Sequence, residues 1–281
     1  MGFSLMVLTS FLFAVMSALI KGLGKDFPPM EVVFIRSLFA LPFLWAVTRW
    51  SGQPMASKDR KNLFMRAATG LMAMYFYFYA LPRMPLALCS FVYNTQPLLV
   101  AAFAPAMLGE RASRRAKVAM GLGVAGLLLI AKPGISFGWA AGSMLVAAVF
   151  GALAHIYIRR LGQGEHPLTV VFDFYILLTV GAGLASIPGF VVPAGPQWPA
   201  LLGISALAAL GQLTMTMAYR MEEAPLVASA GYAGIIFATI FDWLVWDKVA
   251  DGWAWAGGLL IMIGGIQLVW KPLKKALLEF F

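Results

Sequence analysis

Residues 86–108 read LALCSFVYNTQPLLVAAFAPAML, a run without a single charged side chain. A membrane-spanning α-helix needs about 20 consecutive apolar residues, and this run is long enough. Its apolar residues are continuous rather than alternating, which favours a helix over a strand of a membrane barrel. The run therefore predicts a transmembrane helix, although the polar centre, Tyr93-Asn94-Thr95-Gln96-Pro97, is unexpected against lipid.

The whole chain has the composition of a membrane protein. Of its 281 residues, 61% are hydrophobic and only 12% are charged, about half the charged fraction of a soluble domain. The mean hydropathy is +0.83. Ten apolar runs of spanning length lie at roughly 3–22, 31–48, 64–82, 86–108, 117–132, 138–158, 168–188, 199–218, 224–246 and 253–270. The first has no Lys or Arg before it and nine runs after it, which predicts a resident helix rather than a signal peptide.

Lys and Arg are distributed unevenly between the two sides of these spans. With the N-terminus in the cytoplasm, fifteen of the 21 Lys and Arg residues lie on the cytoplasmic side and five outside, with Arg36 inside a span. This bias predicts a multi-pass protein of a bacterial inner membrane with both termini cytoplasmic. The net charge of +9 is then explained by loops facing an anionic leaflet, and no nucleic-acid partner is needed.

The two halves of the chain repeat each other. Leu108-Gly109-Glu110-Arg111 ends the fourth span, and Val245-Trp246-Asp247-Lys248 ends the ninth, 137 residues later. Each is followed by a glycine-rich span that closes on a Lys-Pro pair. Because five spans is an odd number, the second half must enter the membrane in the opposite sense. We therefore expect an all-α fold of two inverted five-helix repeats, 1–134 and 135–281, with a substrate site near the midplane between them.

These residues resemble the drug/metabolite transporter superfamily, specifically its ten-helix EamA-type transporters. The matching features are Glu31-Val-Val-Phe-Ile-Arg36 opening the second span, Pro97 in the fourth, Gly109-Glu110 at its end, and the glycine-rich fifth and tenth spans. The resemblance implies a carrier with cytoplasmic ends that exports small organic solutes, without naming the solute. The second half departs from the pattern, since Asp247 replaces the glutamate and no proline matches Pro97.

The polar centre of the fourth span is the best candidate for a substrate site. Pro97 donates no backbone hydrogen bond and clashes with the carbonyl of Tyr93, so the helix should be interrupted there. The residues in register 137 positions later are Gly231-Tyr232-Ala233-Gly234. Interruptions at matching places in both halves point to a transporter's binding site, while hydrogen bonding between helices is the alternative. The predicted substrate-binding residues are Tyr93, Asn94, Gln96, Pro97, Gly231, Tyr232 and Gly234.

Three phenols lie in the third span, in the stretch Met74-Tyr-Phe-Tyr-Phe-Tyr79. Tyr75 and Tyr79 share one helix face, and we assign this face to the cavity, with Tyr77 on the opposite face. Tyr79 is also close enough to the span's end to belong to an outer aromatic belt. A neutral, aromatic, hydrogen-bonding pocket suits amino acids or nucleobases, and it does not suit a polyanion, which would need clustered Arg or Lys.

Few ionisable groups lie inside the spans. Asp173 and Asp242 are candidates for proton coupling, because intramembrane carboxylates are commonly functional, although either is near enough to a span end to snorkel. Asp173 is preferred, since its aromatic neighbours would desolvate it. Arg36 is close enough to the outer surface to snorkel, and His155 fits best as a packed, neutral histidine.

Enzyme motifs in the chain do not have the context they need. Gly121-Leu-Gly-Val-Ala-Gly126 has dinucleotide-binding spacing but lies within a span, where small residues let helices pack closely. Gly134-Ile-Ser-Phe-Gly138 has nucleophile-elbow spacing without the required strand. One Cys and two His at unrelated positions make no usual zinc site. We therefore expect no enzyme activity, no cofactor and no metal.

The sequence predicts an alternating-access transporter that exports small organic metabolites, with amino acids as the first choice of substrate. Two alternatives stay open: a broad exporter of aromatic or cationic drugs, and an importer of nucleobase- or vitamin-like metabolites. Oligomeric state is not indicated by the sequence.

Overall fold

The computed structural model describes residues 2–25, 27–108, 114–131, 138–161, 164–221 and 230–278. Several predicted features lie outside these residues: the Gly109-Glu110 pair, the first Lys-Pro pair, most of the loop after it with the boundary between the repeats, and the start of the ninth span.

The regular secondary structure of the described residues is helical. The α-helices are α1 (Gly2–Leu23), α2 (Pro29–Trp50), α3 (Arg60–Ala80), α4 (Leu86–Tyr93), α5 (Gln96–Leu108), α6 (Arg114–Ala131), α7 (Trp139–Leu161), α8 (Pro167–Ser186), α9 (Trp198–Met221), α10 (Ala233–Trp246) and α11 (Gly252–Leu278). Five helical segments are long and apolar enough to cross a membrane, and four shorter ones are also apolar. With α4 and α5 taken as one interrupted span, the described helices correspond one to one to the ten predicted spans. The prediction of an all-α membrane protein is confirmed.

Local sequence signals explain where several helices begin and end. Asp59 caps α3 by accepting a hydrogen bond from the backbone N–H of Asn62 at 3.1 Å. Two hydrogen bonds hold the pKa of the Asp59 carboxyl below its usual value. The larger effect comes from the Asn62 side chain and the smaller one from this backbone N–H. Proline occupies the first position of α2 and of α8, where its missing N–H costs nothing. Asp247 ends α10 with a left-handed backbone, φ 51°.

The most extensive helix packing joins the two predicted halves of the chain. It pairs α1 with α9, α2 with α8, α3 with α7 and α6 with α11. In the predicted repeat, α1, α2, α3 and α6 correspond to α7, α8, α9 and α11. Exchanging each helix for its counterpart leaves this set of pairs unchanged, as expected for two repeats related by a pseudo-two-fold axis. A site between the halves is therefore lined by elements of both.

The glycines of α6 allow two helices to approach closely, as the sequence predicts. A Cβ on Gly126 would overlap the carbonyl oxygen of Gly257 in α11, and a Cβ on Gly257 would overlap that of Gly126. A Cβ on Gly123 would overlap the side chain of Leu98. The packing interpretation of this motif is confirmed for Gly123 and Gly126, whereas a Cβ on Gly121 would have no neighbouring atom within 4 Å.

A turn lies at the same place in the repeat in both halves. A turn at Asn94-Thr95 separates α4 from α5, and a turn at Gly231-Tyr232 precedes α10, which preserves the offset of 137 residues. The Thr95 hydroxyl donates to the Val92 carbonyl at 2.8 Å and the Asn94 amide donates to the Ser90 carbonyl at 2.7 Å. These bonds satisfy carbonyl groups at the end of α4 that a continuous helix would use differently.

Candidate functional site

A polar cluster forms where the interruption between α4 and α5 meets α7. The Gln96 amide nitrogen and Nδ1 of His155 are hydrogen-bonded, and the same Nδ1 lies 3.0 Å from the Gly151 carbonyl oxygen. Nδ1 accepts from the Gln96 amide when it carries no proton, and donates to the Gly151 carbonyl when it does. The tautomer of His155 therefore decides which of the two hydrogen bonds forms. The helix thus presents a polar group with two alternative partners at the predicted site.

Gly151 makes this cluster sterically possible. A Cβ at this position would lie 2.9 Å from the Gln96 amide nitrogen and 2.9 Å from the Tyr93 hydroxyl, closer than Cβ atoms pack. Only glycine lets the interrupted helix bring both polar groups against α7. Neither Gly151 nor His155 is among the predicted substrate-binding residues. The sequence offers one signal for them, which is their spacing of four residues on one face of α7.

The third span contributes Tyr77 to the same cluster. Its ring packs edge-on against that of Tyr93, with centroids 4.8 Å apart, and its hydroxyl lies 3.3 Å from the Ser17 hydroxyl of α1. Residues two apart on a helix point to nearly opposite sides. The face of α3 that meets Tyr93 is therefore the one opposite to the face we expected from the sequence.

Tyr75 and Tyr79 have other neighbours. The Tyr75 ring packs edge-on against Phe76 at 5.1 Å. The guanidinium of Arg83 lies 4.0 Å from the centre of the Tyr79 ring, and donates to the Tyr79 carbonyl at 2.7 Å. Tyr79 thus stands beside a charged group at the outer end of α3, as in an aromatic belt. A substrate-binding role for Tyr75 and Tyr79 stays a prediction.

The second interruption is packed more tightly against its neighbours. Tyr232 is buried over α11, where a Cβ on Gly265 would overlap its hydroxyl. Gly234 faces α1, where its Cβ position lies 3.8 Å from Ser10. Within the described residues the Tyr232 hydroxyl has no hydrogen-bond partner. Gly231 is half-buried in this turn, and Pro97 lies in the first turn of α5, after the corresponding turn of the first half.

Arg36 does not snorkel to the membrane surface. It is 4% exposed, and its guanidinium points to the sulfur atoms of Met16 and Met74, at 3.7 and 3.2 Å. Its central carbon lies 5.6 Å from the Phe78 ring and 6.0 Å from the Tyr175 ring. Arg36 is therefore a buried cation surrounded by sulfur atoms and aromatic rings.

Arg66 is a second buried cation, which the sequence led us to group with the cytoplasmic charges. It is 2% exposed in α3, with its guanidinium 3.7 Å from the centre of the Phe174 ring. Its position six residues after the start of α3 resembles that of a snorkelling residue, which is why hydropathy alone does not identify it. The sequence analysis therefore missed a second arginine inside the bundle.

Asp173 binds the loop between α2 and α3. Its Oδ2 accepts from the backbone N–H of Ser57 at 2.6 Å and pairs with Arg60 at 3.2 Å. Glu165 binds the same loop, because its Oε1 accepts from the N–H groups of Lys58 and Asp59 at 2.6 and 3.1 Å. Two carboxylates from the second half therefore hold a loop of the first half.

Beside this loop is an open hollow of about 610 Å³. It is lined by Lys58, Asp59, Arg160, Leu161, Gly164 and Glu165. The hollow lies on the side that the charge bias assigns to the cytoplasm.

Asp242 occupies a different environment at the opposite side. Its carboxylate pairs with Lys21 of α1 at 2.7 Å and accepts from the N–H of Ala87, in the first turn of α4, at 2.8 Å. The Lys21 ammonium also lies 4.2 Å from the Trp246 ring. Asp242 thus connects α1, α4 and α10. On the same side, Glu31 accepts from the N–H of Val191 at 2.9 Å.

Comparisons with known proteins place this architecture among transporters. Residues 1–132 match the EamA-like transporter family. The pseudopaline exporter CntI of Pseudomonas aeruginosa is 35% identical over 95% of each chain. The riboflavin transporter of Vibrio cholerae is 26% identical over 65% of this chain and 62% of its own. A solved crystal structure with 18% identity superposes with a TM-score of 0.68 over 95% of this chain and 94% of that one, a likeness of fold.

Proposed function

Because the chain belongs to the EamA-like transporter family, whose members move small metabolites across membranes, we propose that it exports metabolites of the amino-acid type across a bacterial inner membrane. The charge bias of the loops supports an orientation with both termini in the cytoplasm. Outward movement is supported by the relative named as an exporter, which aligns over 95% of the chain.

The observation that carries the proposal is the polar cluster of Tyr93, Gln96 and His155 at the interrupted helix. A phenol, a carboxamide and an imidazole converge where α4–α5 of one half meets α7 of the other. Such groups bind the polar parts of a small solute, while the ring of Tyr77, which packs against Tyr93, suits its apolar part. Binding energy from both halves is what an alternating-access carrier needs, because the site opens when the halves move apart.

Proton coupling is part of the proposal, with Asp173 as the carrier. Asp173 is 6% exposed and its carboxylate contacts a loop of the other half, so that movement of the loop would change its access to water. This is the condition under which a carboxyl group takes up and releases a proton during a transport cycle.

The test is transport by the purified protein in proteoliposomes, measured with a panel of radiolabelled amino acids. Gly151→Ala places a methyl group 2.9 Å from the polar atoms of Tyr93 and Gln96, so the cluster must shift. Disrupting one buried hydrogen bond costs about 1–3 kcal/mol, and every 1.4 kcal/mol is about tenfold. We therefore expect the initial rate to fall roughly tenfold or more.

Gly142→Ala is the matched control, because it lies on the same helix and a Cβ there has no atom within 4 Å. It should transport at the wild-type rate. Equal rates for the two variants would contradict the placement of the site. A wild-type protein that moves no amino acid of the panel would contradict the substrate class.

A further inference from the structure

Two arginines are buried within the helical bundle and have no carboxylate partner in the part of the chain that the structure describes. Arg36 in α2 is 4% exposed and Arg66 in α3 is 2% exposed. Among the described residues, the hydrogen-bond acceptors of Arg36 are methionine sulfur atoms, which are weak acceptors. The closest described partner of the Arg66 charge is the ring of Phe174. No carboxylate of the described residues neutralises either charge.

Such an arrangement is costly unless something else neutralises it. Removing a charge from water carries a large penalty that only an opposite charge and good hydrogen bonds offset. Within the described part of the chain, Nε and Nη1 of Arg66, Nε of Arg36 and the Tyr175 hydroxyl are buried and lack a hydrogen-bond partner. All of these groups can donate hydrogen bonds, which an anion would accept.

The unpaired donors converge on one place. Tyr175 of α8 is fully buried, and its ring centre lies 6.0 Å from the central carbon of the Arg36 guanidinium. It also lies 5.9 Å from the centre of the Phe174 ring, over which the Arg66 guanidinium is placed. With a rise of about 1.5 Å per residue, Arg36 lies roughly 10 Å into α2 and Arg66 roughly 9 Å into α3, from opposite ends. The two arginines thus enter the region around Phe174 and Tyr175 from opposite ends of their helices.

This place adjoins the polar cluster of the candidate site. The helix that carries Arg66, α3, packs along α7, which carries His155, and the Phe76 and Phe150 rings of these two helices are stacked 6.2 Å apart. The His155 ring is hydrogen-bonded to Gln96. One solute can therefore contact the carboxamide and imidazole with its neutral polar part while its charged part reaches the arginines.

We propose that Arg36, Arg66 and Tyr175 bind carboxylate groups of the transported metabolite, so that the substrate is a di- or polycarboxylate rather than a neutral solute. The guanidinium fork matches the two oxygens of a carboxylate, and the Phe174 ring holds one fork in place without competing as an acceptor. This inference rests on the proposed function, because it identifies the chemistry of that transporter's substrate.

The first test needs no mutation. The thermal unfolding midpoint of the purified full-length protein in detergent is measured with succinate, glutarate and adipate, and with the diamide of each, at equal ionic strength. We expect at least one dicarboxylate to raise the midpoint, since a ligand that binds only the folded state stabilises it, and its diamide to have no effect. Equal shifts with acid and diamide, no shift with any dicarboxylate, or a shift with inorganic phosphate alone would each overturn the proposal.

Variants then identify the residues. Arg66→Gln and Arg36→Gln should each weaken the effective dicarboxylate roughly ten- to hundredfold, because a hydrogen bond to a charged group is lost. The control is Arg49→Gln, an exposed arginine on the same helix as Arg36, which should bind as the wild type does. Should either glutamine variant fail to fold, Arg66→Lys retains the charge but not the fork and should still bind at least several times more weakly. Unchanged affinity in these variants would overturn the assignment.

Transport separates this inference from the proposed function. Proteoliposomes loaded with the radiolabelled dicarboxylate that shifts the midpoint are assayed for exchange. Binding without any exchange would count against transport and leave the anion site standing. Transport of neutral amino acids with no dicarboxylate binding would overturn the anion site and leave the proposed function standing.

Discussion

Asp173 and Asp242 lie at opposite sides of the membrane and are held in different ways. The pair between Asp242 and Lys21 is buried on both sides, with side chains 1% and 8% exposed. The partner of Asp173 is Arg60, whose side chain is 63% exposed. Both carboxylates also accept one backbone N–H, from Ala87 in the first case and from Ser57 in the second.

Both aspartates lie near the end of a predicted span, yet the difference between their partners gives them different energetic roles. An ion pair between buried partners cannot exchange either partner for water without leaving an uncompensated charge. An ion pair with an exposed partner is weak, because water screens it and competes for both groups. We therefore infer that Asp242 holds three helices together, whereas Asp173 is the carboxylate that is able to change its partners during a transport cycle.

Removing one partner of the buried pair should have the largest effect. Lys21→Met leaves the Asp242 carboxylate buried without a cation, and we expect a loss of about 3–5 kcal/mol in the free energy of unfolding. Unfolding by SDS in mixed micelles measures this change. The double variant Lys21→Met with Asp242→Asn removes both charges and keeps an oxygen for the Ala87 N–H, so it should recover most of the loss. A double variant as unstable as the single one would contradict the ion-pair explanation.

Neutralising Asp173 should affect stability less and coupling more. Asp173→Asn retains an oxygen for the Ser57 N–H and loses only the charge, so we expect a cost of about 1 kcal/mol. If Asp173 carries the proton, accumulation driven by a pH gradient should stop in proteoliposomes while downhill exchange continues.

Glu165→Gln is the control for this experiment, because it binds the same loop from outside the helices. It should leave gradient-driven accumulation intact. Normal accumulation by the Asp173→Asn variant would exclude this residue as the proton carrier.

Removing the exposed partner should have the smallest effect. Arg60→Ala is expected to change the free energy of unfolding by less than about 1 kcal/mol, and a salt concentration near 1 M should abolish the difference, because salt screens exposed pairs. Arg49→Ala, which removes an exposed arginine from the end of α2, provides the baseline. A loss as large as that of Lys21→Met would show that the two carboxylates are equivalent.

The interrupted helices show how far a local pattern predicts structure. Pro97 and the glycines 137 residues later predict breaks in both halves, and turns are found at Asn94-Thr95 and Gly231-Tyr232. This worked because the causes are local: a missing N–H, a ring clash, and low helix propensity. The close packing of Gly126 on Gly257 was predictable for the same kind of reason, since small residues in a span permit little else.

The faces of the helices were less predictable. Tyr77 contacts Tyr93 although periodicity favoured the opposite face, and Gly151 and His155 of α7 complete the cluster without any motif. Helical periodicity states which residues share a face, but it does not state which neighbouring helix that face meets. In a uniformly apolar span no amphipathic pattern orients the helix.

The sequence by itself determined that this is an all-α membrane protein, where its spans lie, and where two of them are interrupted. Hydropathy and backbone chemistry are properties of short segments, and they do not depend on which other helices a segment contacts. Only the tertiary structure decided that Lys21 is paired with Asp242 rather than exposed, and that Arg66 is buried beside Phe174. The state of a charged side chain depends on the dielectric and the partners that the fold places around it, and those partners come from helices that are distant in the chain.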